Sequence, residues 1–312
     1  MPAFIDGKAH FVKFEPNEKQ VLDFKQIRTA ENIKHFIFPS RDVVARFPED
    51  ITRREPYAQY LVGVKACDVR GLEIYDRVFE KWEPCDPIYK ERRKSTVIIS
   101  ADCPLPEPSC FCSLMNVNPY CDRGCLSDIN LTPLASGLLF DVFSEKGESV
   151  IKLANELLVD AREADVQEQT KVRMNARNKL AEINDGDLKK NLAILVEKAT
   201  IKTIRASRNE CVECFACLHV CPTCYCFMLS DYKTGNNIER VRTWDACYYA
   251  AYARVGGGAN PRSRFDERFW NRFACKFNYF HQYEEMFACS GCGRCYVGCS
   301  AKIDIREILK NL

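Results

Sequence analysis

Residues 211–222 read Cys211-Val212-Glu213-Cys214-Phe215-Ala216-Cys217-Leu218-His219-Val220-Cys221-Pro222, and the rest of the chain is read outward from this run. Three cysteines at intervals of three hang from one tight loop and reach three iron corners of a [4Fe-4S] cube. The fourth, one step further on and followed by proline, points away to a different cluster. The chain supplies that cluster too, because Cys289, Cys292, Cys295 and Cys299 repeat the spacing near the C-terminus. Crossed ligation then assigns Cys211, Cys214, Cys217 and Cys299 to cluster 1, and Cys289, Cys292, Cys295 and Cys221 to cluster 2. Structural zinc also uses Cys-x-x-Cys pairs, but two pairs suffice for it and a third cysteine in the run is surplus. The second run ends Cys299-Ser300 where the first ends Cys221-Pro222. Serine leaves a freer backbone, with an added N–H and hydroxyl near sulfur that tune a cluster's potential.

With 312 residues and 46% hydrophobic content, the chain has room for two domains and a buried core. A net charge of +2 sets no field toward nucleic acid or an acidic membrane. Met1 to Lys8 carries no basic region leading into an apolar stretch, so the 19 cysteines are expected to be reduced and metal-binding. Tyr248 to Ala259, the most apolar piece, contains Arg254 and three glycines and falls short of the roughly 20 residues a membrane helix takes. The expectation is a cytoplasmic protein with no direct membrane insertion.

Residues 1 to about 50 alternate short apolar pieces with charged breaks, which predicts strands and hairpins at the edge of an α/β domain. Gln59 to Val64 reads as a buried strand, and Val69, Leu72, Tyr75, Val78 and Phe79 have helical spacing with Asp68 as the cap, so Cys67 sits where strand hands over to helix. Ser95 to Ser100 is a second buried strand, followed at once by Asp102-Cys103 and a proline-rich loop carrying Cys110-Phe111-Cys112. If the two strands are parallel, Cys67 and Cys103 emerge at the carboxyl edge where open α/β sheets place ligands. Cys67, Cys103, Cys110 and Cys112 make a candidate third [4Fe-4S] site, with buried free thiols as the plainer reading and Cys121 and Cys125 as alternates or bystanders. Gly137 to Phe143 reads as one more strand and Ser149 to Ala161 as a helical stripe. Beyond it the composition turns charged and helix-favouring, with helices over Val166 to Ile183 and Asp187 to Arg205 acting as a connector.

The fold class is therefore α+β: an α/β domain over 1–145 with the third iron–sulfur site, a helical connector over 146–206, and a two-cluster ferredoxin-like domain over 207–312 with an insert at about 227–288. The insert carries Arg262, Arg264, Arg268, Arg272 and Lys276 among Phe265, Phe269, Trp270, Phe273 and Phe277. Basic and aromatic residues together can bind single strands, but the near-neutral charge favours a helix whose cations form a jacket around negatively charged cubes. Cys224, Cys226, Cys247 and Cys275 lie outside both runs and are read as supporting or core thiols, and His219 and His281 as ordinary surface or core residues.

Taken jointly, Gly63-Val64-Lys65-Ala66-Cys67-Asp68, Ile98 to Cys103 leading to Cys110-Phe111-Cys112, Cys221-Pro222-Thr223-Cys224-Tyr225-Cys226, Trp244-Asp245-Ala246-Cys247, Gly256-Gly257 with Asn260, and both cluster runs resemble one family over most of the chain. It is the iron–sulfur electron-transfer family typified by the beta subunit of cytoplasmic sulfhydrogenases and by its counterpart in anaerobic sulfite reductases. The resemblance implies a non-catalytic subunit relaying electrons between a flavin-bearing subunit that oxidises NAD(P)H and a catalytic hydrogenase or sulfite reductase subunit. It also agrees with a third cluster at Cys67, Cys103, Cys110 and Cys112, while Cys121 and Cys125 are not required by the family pattern. No Ser-His-Asp set or dinucleotide glycine fingerprint appears, which supports a relay. The competing reading is a catalytic subunit that reduces a disulfide or sulfur substrate at the N-terminal cysteines.

Overall fold

Gln59–Val64 and Thr96–Ala101, the two apolar runs read as buried strands, are parallel neighbours in one sheet. The computed structural model describes residues 1–5, 8–15, 24–25, 28–48, 58–184, 188, 191–199 and 201–312. Its strands in chain order are β1 Pro2–Ile5, β2 Lys8–Phe11, β3 Arg41–Phe47, β4 Gln59–Val64, β5 Thr96–Ala101, β6 Ile129–Pro133, β7 Leu138–Val142, β8 Phe227–Thr234 and β9 Asn237–Trp244. The chain is α+β and divides into two units, one formed by Met1–Ile37 and Glu55–Asp185, the other by Phe38–Arg54 and Gly186–Leu312. Among the described residues no helix is long and apolar enough to cross a membrane.

In the first unit the sheet order is β4-β5-β6-β7, with β6 parallel to β5 and β7 antiparallel to β6. Ile99, Ala101, Ile129 and Leu131 form the buried core of the sheet, and Val150 and Ile151 pack against it. These two come from the helix Glu145–Leu153, which starts four residues before the expected Ser149 because Ser144 caps it, accepting the Gly147 N–H at 3.1 Å. The helix ends at Leu153, so Leu153 and Leu157 of the predicted stripe are exposed. Gly147 seats the helix on the sheet, since a methyl there would overlap the Asp128 carbonyl oxygen. Gly147→Ala is expected to destabilise this unit by about 1–3 kcal/mol, read as a lowered denaturation midpoint.

The helix after β4 runs Ala66–Asp76, and Asp68 is not its cap. Lys65 holds the cap position, and Asp68, buried in the first turn, places its negative charge where the helix dipole favours it. The helix Glu163–Ile183, expected as part of a connector, belongs to the first unit. The expected helix over Asp187 to Arg205 lies partly outside the described residues; within them the chain forms Leu192–Lys198 and Ile201–Glu210.

The second unit holds the antiparallel sheet β3-β9-β8. Its sequence position puts β3 at the edge of the α/β domain; it pairs instead with β9, two hundred residues on, where Arg242 and Asp42 form a buried ion pair at 3.0 Å. The Arg242 guanidinium lies 4.2 Å from the Phe38 ring centroid, and the Trp244 indole N–H donates to the Phe38 carbonyl at 2.8 Å. Outermost in this sheet is β8, which leaves Met228, Leu229 and Tyr232 exposed. The aromatic insert forms the helix Phe265–Ala274, whose Phe265, Phe269 and Phe273 are buried.

Candidate metal centres

The two late cysteine runs share one backbone winding. Residues two and four positions after the leading cysteine have positive φ in both, Glu213 at 55° and Phe215 at 59° in the first, Gly291 at 65° and Gly293 at 73° in the second. The winding turns main-chain N–H groups onto sulfur: Glu213 donates to Cys211, Ala216 to Cys214 and Gly291 to Cys289. Amides facing inward from such a turn make an anion-binding cradle. The first run adopts it with side chains present, and Phe215 is braced by an edge-on contact with Tyr249 at 4.8 Å between ring centroids.

The last thiol of each run lies near the other run, and Cys217 also faces Cys295. Cys299 lies within electrostatic reach of Cys211 and Cys217, and Ser300 hydrogen-bonds to Cys214. Cys221 lies beside Cys289 and Cys295, and Cys292 beside Cys295. Burial pushes Cys217 up to about 11 and Cys289 up to about 12, so thiolates here need compensating charge. Two buried cations supply it. Lys276 places Nζ 3.5 Å from Cys221 Sγ and is held by Thr223 Oγ1 at 2.6 Å and the Ala288 carbonyl at 2.9 Å. Arg272 hydrogen-bonds to Cys295 and faces Cys217.

Of the five cations expected in the jacket, Lys276 and Arg272 meet thiols of the two runs, and Arg262 faces Cys275. Arg268 instead ties the Tyr248 and Ser263 carbonyls at 2.8 and 2.6 Å, and Arg264 pairs with Asp266 at 2.6 Å. Positions 264, 268, 272 and 276 are four apart, but Arg264 is the extended cap before the helix and Arg268 is consumed by the turn that precedes it, which leaves Arg272 and Lys276.

The donor set fits iron–sulfur cubes. Arg272 Nε and Ser290 Oγ are buried beside the thiols without a hydrogen-bond partner among the described residues, and cluster sulfides are acceptors for such groups. Among the described residues no three His, Cys, Asp or Glu side chains converge as ligands of one metal ion do. A cube takes its four thiolates on separate irons, so its ligands stand further apart.

The remaining insert thiols flank this centre. Cys224 donates a hydrogen bond to Cys221 and, with Lys276 and Arg272, holds that thiol well below the ordinary range. Cys226 is held at about 6 by a hydrogen bond from Cys247, and Cys275 lies 4.0 Å from the Tyr225 hydroxyl.

In the first unit Val64 of β4 pairs in register with Ser100 of β5, so Cys67 and Cys103 each follow a paired position by three residues and leave the sheet at one end. Cys103, Cys110 and Cys112 stand within electrostatic reach of one another, and burial pushes Cys103 up to about 11 and Cys112 higher. Buried cations recur here. Arg28 donates to Cys110 Sγ at 3.4 Å and to Ser109 Oγ at 3.1 Å, and Lys65 faces Cys103 while donating to the Phe24 and Asp102 carbonyls at 2.7 and 2.8 Å.

The helix Glu163–Ile183 is more than a connector, because Leu180 packs on Cys110 and Cys112 and the following Asn184 donates to the Cys110 carbonyl at 2.9 Å. Its Arg173 reaches Asp102 at 2.8 Å and Asp141 at 2.7 Å, while Asn130 and Thr132 also donate to Asp102 at 2.7 and 2.8 Å. Asp102 is 2% exposed, so Arg173→Met leaves a buried carboxylate short of its counter-charge; a loss of about 3 kcal/mol in unfolding free energy is expected.

Comparison with known proteins bears on the C-terminal thiols and on the chain as a whole. Residues 210–303 match the family model of a 4Fe-4S dicluster domain. The sulfhydrogenase 2 subunit beta of Pyrococcus furiosus is 32% identical over 302 residues, which span 95% of this chain and 86% of that protein. No solved structure matches. Identity at this level along nearly the whole of both chains, with a 4Fe-4S dicluster domain at the end where the thiols gather, means that the chain belongs to the sulfhydrogenase beta subunit family and is an iron–sulfur electron-transfer subunit.

Proposed function

We propose that the chain carries two [4Fe-4S] clusters in its C-terminal unit, ligated by Cys211, Cys214, Cys217 and Cys299 and by Cys289, Cys292, Cys295 and Cys221, and a third at Cys67, Cys103, Cys110 and Cys112. The observation that supports this reading is the placement of Cys299 near Cys211 and Cys217 and of Cys221 near Cys289 and Cys295, next to the buried cations Lys276 and Arg272. When bound, such clusters supply one-electron transfer without an open coordination site. The chain's own residues seat them, offset their charge and exclude water.

On this reading the protein relays electrons between a flavin-bearing subunit that oxidises NAD(P)H and a catalytic subunit of hydrogenase or sulfite/sulfur reductase type, in a cytoplasmic anaerobic complex. Its relative's name, a sulfhydrogenase subunit, supports an assembly of that class. Anaerobically prepared full chain should hold about eight to twelve iron atoms and as many sulfides, reducible by a viologen and reoxidised without loss. Zinc without sulfide sinks the reading. Purification of the native complex with its subunits identified tests the partners.

A further inference from the structure

Cys121 and Cys125 of the first unit stand outside the group at Cys103, Cys110 and Cys112. The segment Cys121-Asp122-Arg123-Gly124-Cys125 closes in a tight turn: the Cys125 N–H donates to the Asp122 carbonyl at 3.1 Å, and Gly124 sits at φ 105°, a conformation that side chains resist. The turn brings the two sulfurs together as a hydrogen-bonded pair with Cys121 donating. Their surroundings differ sharply. Cys121 is 0% exposed and also hydrogen-bonds to Ser100, whereas Cys125 lies in the wall of a cavity of about 780 Å³.

That volume lies within the range of small-molecule sites, ~300–1,000 Å³. The lining carries both signs of charge and amides, with Arg70, Arg123, Glu73, Asp122, Asn116 and Asn118 among its residues. Arg70 pairs with Glu73, yet its Nε is buried without a hydrogen-bond partner among the described residues. A lining of both charge signs with amides between them suits a ligand bearing both amino and carboxylate groups.

We propose that Cys125 and Cys121 are the attacking and resolving thiols of a site that reduces a small zwitterionic organic disulfide held in this cavity. The site goes beyond the relay reading and does not depend on it. The Cys125 thiolate, its proton already released to water, attacks the near sulfur; the substrate S–S bond breaks, one half leaves as a thiolate that takes a proton back from water, and a mixed disulfide remains. Cys121 Sγ then attacks Cys125 Sγ and the second half leaves with the Cys121 proton. The substrate gains two electrons and two protons, and Cys121 and Cys125 are left as a disulfide, which an added dithiol returns to its starting state.

The environments suit these roles. The hydrogen bond from Cys121 holds the Cys125 thiol at about 7, against the desolvation of its site and the charges of Asp122 and Glu73, so much of it is thiolate at neutral pH. Cys121 is held well above the ordinary range, first by its hydrogen bond to Cys125, then by burial and the Cys125 charge. Two of those three influences vanish once Cys125 sulfur is tied up in the mixed disulfide, which frees Cys121 to act only after the first step.

The test uses the full chain, reduced with a dithiol, desalted anaerobically and mixed with cystine. About two equivalents of cysteine per chain should be released fastest, with a Cys121–Cys125 disulfide found by peptide mapping. In Cys121→Ala the reaction should stop at a Cys125–cysteine adduct. In Cys125→Ala the fast phase should slow by roughly a hundredfold while iron content stays at the wild-type value. Hydroxyethyl disulfide, a neutral probe with the same bond, should react at least about tenfold more slowly than cystine. A fast phase that survives Cys125→Ala, or a disulfide mapping elsewhere, overturns the site. Equal rates for the two probes overturn the substrate class. Protein lacking iron fails the relay reading but leaves the rate comparison and the disulfide map readable.

Discussion

Cys299→Ser should erase the same cluster signal as Cys214→Ser, although the two residues lie in different runs. The proposed crossed ligation makes this demand: Cys299 lies near Cys211 and Cys217, and Cys221 near Cys289 and Cys295. Each of these variants should lose about four irons and four sulfides per chain and keep the other cluster's paramagnetic resonance spectrum. Cys221→Ser should match Cys292→Ser in the same way. Cys275→Ser, whose thiol neighbours the Tyr225 hydroxyl, should leave both signals intact. Were Cys299→Ser to remove the signal that Cys292→Ser removes, each run would bind its own cube and the proposed ligand sets would be wrong.

Lys276→Met should lower the reduction potential of the cluster at Cys289, Cys292, Cys295 and Cys221. Lys276 is 3% exposed and its ammonium lies 3.5 Å from Cys221 Sγ, where little water screens it. Adding an electron to a cube already surrounded by thiolates becomes harder once that positive charge is gone. A tenfold change in the reduction equilibrium is about 59 mV for one electron, and a downward shift of at least that size is expected in a potentiometric titration. Lys276→Arg keeps the charge and should recover most of the shift, which separates electrostatics from a disturbed fold. An unchanged potential in the methionine variant would remove Lys276 from the cluster's electrostatics.

What is legible in the chain is whatever is written locally. Cysteine spacing within each run is a property of one loop, and the apolar runs at Val97 to Ile99 and Leu61 to Val64 announce buried strands; their parallel pairing, on which the common exit of Cys67 and Cys103 depends, is a finding of the structure. What stays hidden depends on contacts far apart in sequence. Nothing in Arg41–Phe47 names β9 as its partner, since an alternating strand fits any sheet with a matching face. Arg28 reaches Cys110 across 82 residues, and Arg173 reaches Asp102 across 71 from a helix whose charged composition reads as a solvated face. The basic stripe of the insert is visible, but which of its cations turn inward is decided by the carbonyls that Arg268 satisfies first.

Strand β8 has no neighbour beyond it in the described sheet, and it displays Met228, Leu229 and Tyr232 to solvent. An open row of peptide groups flanked by greasy side chains is a template for copying itself, and a second molecule offers the same row. Produced without its companions, the chain will tend to clump through this border, and a lysine at position 228 is the economical remedy.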